Sequence, residues 1–263
     1  MTAIEYTNEG GIASLTINNP PQNRLSNDVM GGFRSAIEDL SARNDTRVLL
    51  IKSRGDDFSF GGDISGWLDR SAEDFSSSIA QGVLLSNLMQ DLPFPIVVAV
   101  QGHCLGGGFE LTLRGDIIVA ADNAYFGHSE ATIGVFTFLG GVQRVAERVG
   151  RTRAIQWAMT AELIDAKTAL DSGLVNEVVP KAELQSAADR WVEKLATSAT
   201  LSHAAHKKLL RAWSNGGVEM ADRIMSEMSG EILVSEDAQH SLVGAIEGLK
   251  AGQSRPEYPF KGK

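Results

Sequence analysis

The 263-residue sequence predicts an α/β fold with buried strands, followed by a helical C-terminal segment. Short runs rich in β-branched residues occur at positions 48–51, 96–100 and 117–121. Such runs are typical of strands that are covered on both faces. Beyond residue 181, apolar residues recur with helical spacing almost to the end of the chain.

The first ninety residues are expected to alternate strands and helices. Residues 12–17 alternate apolar with small or polar side chains, which favours a half-buried strand. Ser26 is expected to cap a helix over residues 27–43. A second helix is expected over residues 71–92, because Ser71 opens a capping-box pattern and prolines follow the last turn.

Shorter elements are expected in the middle of the chain. The pattern predicts a buried helix over residues 109–113 and a strand over residues 124–130. From residue 141 onward the spacing is mostly helical, with one strand over residues 174–179. The change of pattern indicates an α/β core that is completed before the long helices begin.

We therefore divide the chain into a core over residues 1–195 and a helical segment over residues 196–263. Breaks in the helical segment are expected near residues 198–202 and at Gly216–Gly217. The segment also carries more apolar side chains than a thin covering layer needs: Ile224, Met225, Met228, Ile232 and Leu233. Some of them are expected to face another subunit.

The composition excludes several classes of function. A net charge of −9 disfavours nucleic-acid binding. No apolar run is long enough to span a membrane, and residues 1–11 do not resemble a secretory signal. Cys104 is the single cysteine, so a reducing, cytoplasmic location is expected. His103 and His128 lack partners at metal-ligand spacing, and no metal is expected.

A run of glycines at residues 106–108 indicates where chemistry takes place. It joins a buried strand to a short helix, and the first amides of a helix lack internal partners. Such amides favour an anion or a developing oxyanion. Glu110 lies three residues after Gly107, so its side chain is expected near the ligand. A tight turn with no ligand is the alternative.

A second glycine loop, residues 58–64, also follows a buried strand. Gly62 can offer a second backbone amide, and two amides from two loops would form an oxyanion hole. Asp63 is explained equally well as a cap of the segment that follows.

Three motifs together resemble the crotonase (enoyl-CoA hydratase/isomerase) superfamily. They are Gly61-Gly62-Asp63, the stretch from Gly102 to Glu110, and Phe126-Gly127-His128-Ser129-Glu130. The resemblance covers residues 4–183 and implies a spiral of ββα units with a helical C-terminal oligomerisation segment. It also implies an acyl-CoA substrate, no further cofactor, and a homotrimer or a hexamer built from two trimers.

The resemblance assigns residues to this site. Gly62 and Gly107 match the oxyanion-hole positions, and Glu110 and Glu130 match the two carboxylates of the hydratases. In that family the first carboxylate is usually said to activate water for attack at C3, and the second to deliver a proton to C2. The remaining residues are expected to contact the substrate: Phe60, Gly61, Asp63, Ile64, Gly106 and Phe138.

The sequence departs from the hydratase pattern after Glu130. Residues 137–141 read Thr-Phe-Leu-Gly-Gly where hydratases usually carry a Pro-Gly-Ala-Gly-Gly-like stretch, and Ser129 replaces a proline. The bulk of Phe138 either fills core space or reshapes the acyl pocket. Hydration of an enoyl-CoA is the first hypothesis. The alternatives are double-bond isomerisation, C–C hydrolysis or decarboxylation, and a non-catalytic protein that binds acyl-CoA or RNA.

Overall fold

A computed structural model describes residues 2–253 and 258–263 and confirms the predicted α/β fold. Its main sheet has six strands in the order β1-β2-β3-β4-β6-β9, parallel except for the β1-β2 pair. These strands are Ile4–Glu9, Ile12–Ile17, Val48–Ser53, Ile96–Val100, Ile117–Ala121 and Glu177–Val179.

A smaller sheet carries the glycine motif at its edge. It has the order β5-β7-β8, with the strands His103–Leu105, Tyr125–Gly127 and Ile164–Asp165. Strand β5 leads directly into the short helix α3, Gly107–Thr112. The end of this sheet therefore sets the position of the helix that begins at Gly107.

The other helices surround the two sheets and form the C-terminal segment. They are α1 Asn27–Ala42, α2 Ala72–Gln90, α4 Gly141–Val149, α5 Arg151–Thr160, α6 Ala166–Asp171, α7 Leu184–Ala196, α8 Thr200–Leu233 and α9 Glu236–Lys250. Ser26 and Ser71 cap α1 and α2 as predicted, because each hydroxyl accepts a hydrogen bond from the amide three residues later.

The main sheet is buried on both faces, which explains its apolar strands. In β4, Val97 and Ala99 belong to a core cluster with α7, whereas Val98 and Val100 belong to the larger cluster on the other face. Alternate side chains of a strand point to opposite faces, so each face of β4 is covered. Fully burying one such valine contributes about 1.5–3 kcal/mol relative to leaving it exposed.

One predicted strand was wrong in a way that matters for the site. The strand expected over residues 124–130 ends at Gly127, and Glu130 begins a 3₁₀ helix, Glu130–Ile133. Gly134 ends this turn in the left-handed conformation, with φ of 76°. The change turns Glu130 inward, so that it is not the surface carboxylate that a strand end would present.

The pattern also missed three strands, β1, β5 and β8, and the strand expected over residues 174–179 begins only at Glu177. Strand β1 has six residues, of which only Ile4 is buried, so it shows no apolar run. Strands β5 and β8 have three and two residues and are too short to show a period. They form because the neighbouring strand supplies the hydrogen bonds.

The long helix α8 changes direction at Gly216–Gly217, where a break was expected. Thr200 and Ala212 are the only residues of this helix that are buried, so most of the helix does not pack against the core. Within the described residues, no helix is long and apolar enough to cross a membrane. Residue 1 of the predicted core and residues 254–257 of the predicted helical segment lie outside the described residues.

Candidate active site

Two glycine loops lie side by side because their backbones pair. Ser59 donates its amide to the His103 carbonyl, and Leu105 donates its amide to the Ser59 carbonyl, both at 2.9 Å. Gly61 adopts a φ of 86°, and a Cβ there would lie 2.9 Å from the Leu105 carbonyl oxygen. Only glycine permits this approach, and the approach brings the two loops together.

The amides of Gly62 and Gly107 face the same space. A methyl group added at Gly107 would lie 3.6 Å from the Gly62 nitrogen. Neither amide donates a hydrogen bond to a protein acceptor within the part of the chain that the structure describes. Two unpartnered amides that line one cavity can donate to a single oxygen atom, as an oxyanion hole does.

Glu110 is buried beside these amides, with 2% of its surface exposed. Its Oε1 accepts hydrogen bonds from the amides of Leu139, at 2.8 Å, and Gly141, at 2.9 Å. Burial and the charge of Glu130 raise the pKa of Glu110 to about 7, although the two amides and Arg114 oppose the shift. A carboxyl group with this pKa exchanges protons near neutral pH.

Glu130 approaches the same space from the 3₁₀ turn. Its Oε1 would lie 3.5 Å from a Cβ placed at Gly106, and 9% of the residue is exposed. Its Oε2 is buried without a hydrogen-bond partner among the described residues. Burial raises the pKa of Glu130, which favours the protonated acid.

The two amides and the two carboxylates line one cavity of about 670 Å³. Nine of the ten predicted site residues line it: Phe60, Gly62, Asp63, Ile64, Gly106, Gly107, Glu110, Glu130 and Phe138. Gly61 does not line the cavity, and its contribution is the close contact between the loops. Asp63 accepts a hydrogen bond from the Ser65 amide at 3.1 Å, as a cap would, but no helix follows it.

Aromatic side chains form one wall of the cavity. The rings of Phe138, Trp67 and Phe75 pack edge to face, with centroids 5.1–5.9 Å apart. Phe136 packs on the outside of Phe138 and is 72% exposed. Phe138 therefore lines the cavity and does not belong to the buried core.

Sequence reasoning missed two sets of arginines. Arg24, Arg34 and Arg70 line the cavity, and none forms an ion pair with a carboxylate in the described residues. Arg114 and Arg144 lie behind the Leu139–Gly141 backbone. No motif marks these positions. Only the helical spacing of Arg34 after Met30 could have placed one of them on a cavity-facing surface.

His128 and Cys104 are buried groups that the site does not use as a base or a nucleophile. Burial lowers the pKa of His128 to about 4 and raises that of Cys104 to about 12, so both are neutral at pH 7. Cys104 packs as a small buried side chain. In the part of the chain described, no three His, Cys, Asp or Glu side chains are grouped as a metal site requires.

Comparison with known proteins finds the same architecture elsewhere. A family model described as enoyl-CoA hydratase/isomerase matches residues 7–253. The chain is 31% identical to a probable enoyl-CoA hydratase of Bacillus subtilis over the whole of both proteins. It is 33% identical to the carnitinyl-CoA dehydratase of Citrobacter koseri over 99% of each chain. An enoyl-CoA hydratase structure from Geobacillus kaustophilus superposes with a TM-score of 0.91 at 26% identity, covering 100% of this chain and 98% of that one.

The raised pKa of Glu110 predicts a pH-dependent effect on stability. Since the folded-state pKa is about 7 against 4.5 for the exposed group, Glu110 destabilises the fold increasingly as pH rises through this window. Glu110→Gln keeps the acceptor oxygen and removes the charge. We expect this variant to gain about 3 kcal/mol in free energy of unfolding at about pH 9, and less than about 1 kcal/mol near pH 5.

Urea unfolding at both pH values measures the effect. Glu38→Gln, an exposed carboxylate on α1, is the matched control and is expected to differ little from wild type at either pH. The same stability difference for Glu110→Gln at both pH values would contradict the assigned burial of an ionisable Glu110.

Proposed function

Because the chain belongs to the enoyl-CoA hydratase/isomerase family, we propose that it adds water across the 2,3-double bond of an acyl-CoA thioester. One observation carries the proposal. Two buried carboxylates, Glu110 and Glu130, line the same cavity as the unpartnered amides of Gly62 and Gly107. Hydration of a conjugated thioester needs these two kinds of group together.

The amides act on the thioester carbonyl. Addition at C3 moves electrons through the double bond and places negative charge on the carbonyl oxygen. The amides of Gly62 and Gly107 are fixed by the paired loops, so they stabilise this charge without rearranging. One donor of this kind contributes about 100- to 1000-fold in rate.

The carboxylates move the protons. Glu110 in its ionised form, which a pKa of about 7 makes available near neutral pH, takes a proton from water as the water oxygen bonds to C3. Glu130, whose burial favours the acid form, gives its proton to C2. The charges of the two groups interact, so their protonation is a property of the pair. No resident cofactor takes part in this scheme.

The cavity also suits the phosphates of coenzyme A. Arg24, Arg34 and Arg70 place three positive charges on its wall in a protein whose net charge is −9. Arg24 also donates to the Gly62 carbonyl at 3.2 Å, so one of these charges lies next to the oxyanion hole. Guanidinium groups without carboxylate partners are suited to phosphate oxygens, which they can bind with two hydrogen bonds.

The proposed assembly is a homotrimer or a dimer of trimers. Its support is the unburied apolar surface of the two last helices, which includes Met225 at 49% exposure and Leu233 at 54%. A further stretch of α9 exposes Val243, Ile246 and Leu249. Surfaces of this kind are normally covered by another subunit. A cytoplasmic location remains part of the proposal, on the grounds of cysteine content.

Two features favour hydration over isomerisation. Both carboxylates are retained, and the Leu139 and Gly141 amides hold Glu110 in a fixed orientation. Phe138 lines the cavity beside them and restricts the space in which water and the acyl chain meet. We therefore expect Phe138 to set the length of the acyl chain that the site accepts.

The direct test is loss of the conjugated-thioester absorbance when purified protein meets a series of 2-enoyl-CoAs. Wild-type protein is expected to remove it rapidly. Glu110→Gln and Glu130→Gln are each expected to lower kcat by about 100- to 10,000-fold, because each removes one proton-transfer group. Glu38→Gln is the control and should match wild type. No loss with any chain length, together with conversion of 3-enoyl-CoAs, would replace hydration by isomerisation.

The aromatic wall predicts chain-length preference. Phe138→Ala removes a ring from the cavity and is expected to raise kcat/KM for longer 2-enoyl-CoAs relative to crotonyl-CoA by about 10-fold or more. Phe136→Ala is the matched control, because the Phe136 ring is 72% exposed and lies outside the wall. An unchanged ratio in Phe138→Ala, measured across the series, would remove Phe138 from the acyl site.

A further inference from the structure

The backbone that holds Glu110 is itself held from behind by two arginines. Residues 139–141 connect the aromatic wall to helix α4, and this short segment supplies both amides that bind the Glu110 carboxylate. We propose that Arg114 and Arg144 are positioning residues that fix this segment and so set how Glu110 handles protons. The inference rests on the proposed function for its kinetic consequences, but not for its structural ones.

Arg114 binds the backbone carbonyl of Leu139, the residue whose amide donates to Glu110. Its side chain is 2% exposed, and its Nη2 donates to the Leu139 carbonyl at 2.7 Å. The Leu139 amide in turn donates to Glu110 at 2.8 Å. On the other side, Nη1 of Arg114 donates to the side-chain oxygens of Asn87, at 2.6 Å, and Gln90, at 3.0 Å. The guanidinium therefore ties residue 139 to helix α2.

Arg144 acts on the second amide. Its Nη1 donates to the Gly140 carbonyl at 3.1 Å, and the N–H at the other end of that peptide group is the Gly141 amide that binds Glu110. A cation on the carbonyl polarises the peptide and makes its N–H a stronger donor. Arg144 also donates to Gln90 at 2.9 Å, so both arginines share acceptors on α2.

The backbone between the two arginines is shaped to admit them. Gly140 adopts a φ of 89°, and a Cβ there would collide with Arg144 and lie 3.4 Å from Nη2 of Arg114. A side chain at this position would push both guanidinium groups off the carbonyls. Glycine at position 140 therefore permits both the turn and the hydrogen bonds of the two arginines to the backbone.

The charge arrangement argues against a purely structural role. Neither guanidinium has a carboxylate within 4.0 Å in the described residues, and their shared acceptors on α2 are neutral amides. Placing a buried cation, Arg114, and a half-buried one, Arg144, without an adjacent counter-ion is costly. Glu110 benefits from these cations, because the charge of Arg114 lowers its pKa and the charge of Glu110 favours the protonated form of both arginines. Glu147 and Asp91 also favour the protonated form of Arg144, and Asp91 that of Arg114.

The sign of the effect follows from the charges around the site. The charged and titratable groups that act on Glu110 or on the two arginines are Glu130, Arg114, Arg144, the neutral His128, Glu147, Arg211 and Asp91. Glu130 raises the pKa of Glu110, whereas the arginines favour its ionised form. Loss of either arginine is therefore expected to raise the pKa of Glu110 above about 7.

The test replaces each arginine and follows Glu110 directly. Arg114→Met and Arg144→Met are compared with wild type by carbon-13 NMR titration of labelled glutamates, with the Glu110 signal assigned through Glu110→Gln. We expect the Glu110 titration to move upward by about one pH unit in both variants. The acid limb of the pH profile of kcat should move with it, kcat at pH 7 should fall about 5-fold, and KM should change little.

Two further variants separate positioning from stability. Arg114→Lys keeps the charge and should restore most of the titration shift, although a single ammonium cannot reproduce the fork of hydrogen bonds. Arg148→Met removes a buried guanidinium that donates to the Gly115 carbonyl at 2.5 Å and does not act on Glu110. This control should lower stability and leave the Glu110 titration in place.

The outcomes are distinct. An unmoved Glu110 titration in both methionine variants, with kcat unchanged, would overturn the inference. If Arg114→Met did not fold, Arg144→Met would carry the same test, since its side chain is only half-buried. Failure of the proposed function would appear instead as wild-type protein that hydrates no enoyl-CoA, and the Glu110 titration would still decide the role of the arginines.

Discussion

The interaction on which the site depends is the pair of hydrogen bonds from the Leu139 and Gly141 amides to buried Glu110. A carboxylate removed from water is costly unless donors replace the water, and these two amides replace it only in part. Burial beside Glu130 therefore leaves Glu110 with a pKa of about 7. The same balance that destabilises the fold gives the group a proton affinity suited to catalysis near neutral pH.

The larger architecture serves to bring these groups together. Strand β5 ends at the glycine run, so Gly107 and Glu110 project from one short helix whose position the small sheet fixes. The pairing of Ser59 with β5 adds the Gly62 amide, and the 3₁₀ turn after β7 adds Glu130. Each contribution comes from a loop at a strand end, where backbone amides are free to bind a ligand.

Much of this was predictable, because glycine runs and capping serines impose local geometry that the sequence displays. The fold class, the caps at Ser26 and Ser71, and the nine cavity-lining residues followed from motifs and from a family resemblance. The inward turn of Glu130 and the arginines behind Gly140 did not. They depend on contacts between segments far apart in the chain, as Arg114 to Leu139 shows, and no local pattern reports such contacts.

The central claim is that Glu110 and Glu130 add water across a double bond whose thioester oxygen lies between the Gly62 and Gly107 amides. Mass spectrometry of the acyl product formed from a 2-enoyl-CoA in oxygen-18-labelled water tests it most directly. The account predicts one labelled oxygen at C3 with the wild-type protein and almost none with Glu110→Gln. An acyl product that forms without labelled oxygen, or equal labelling in the two proteins, would contradict it.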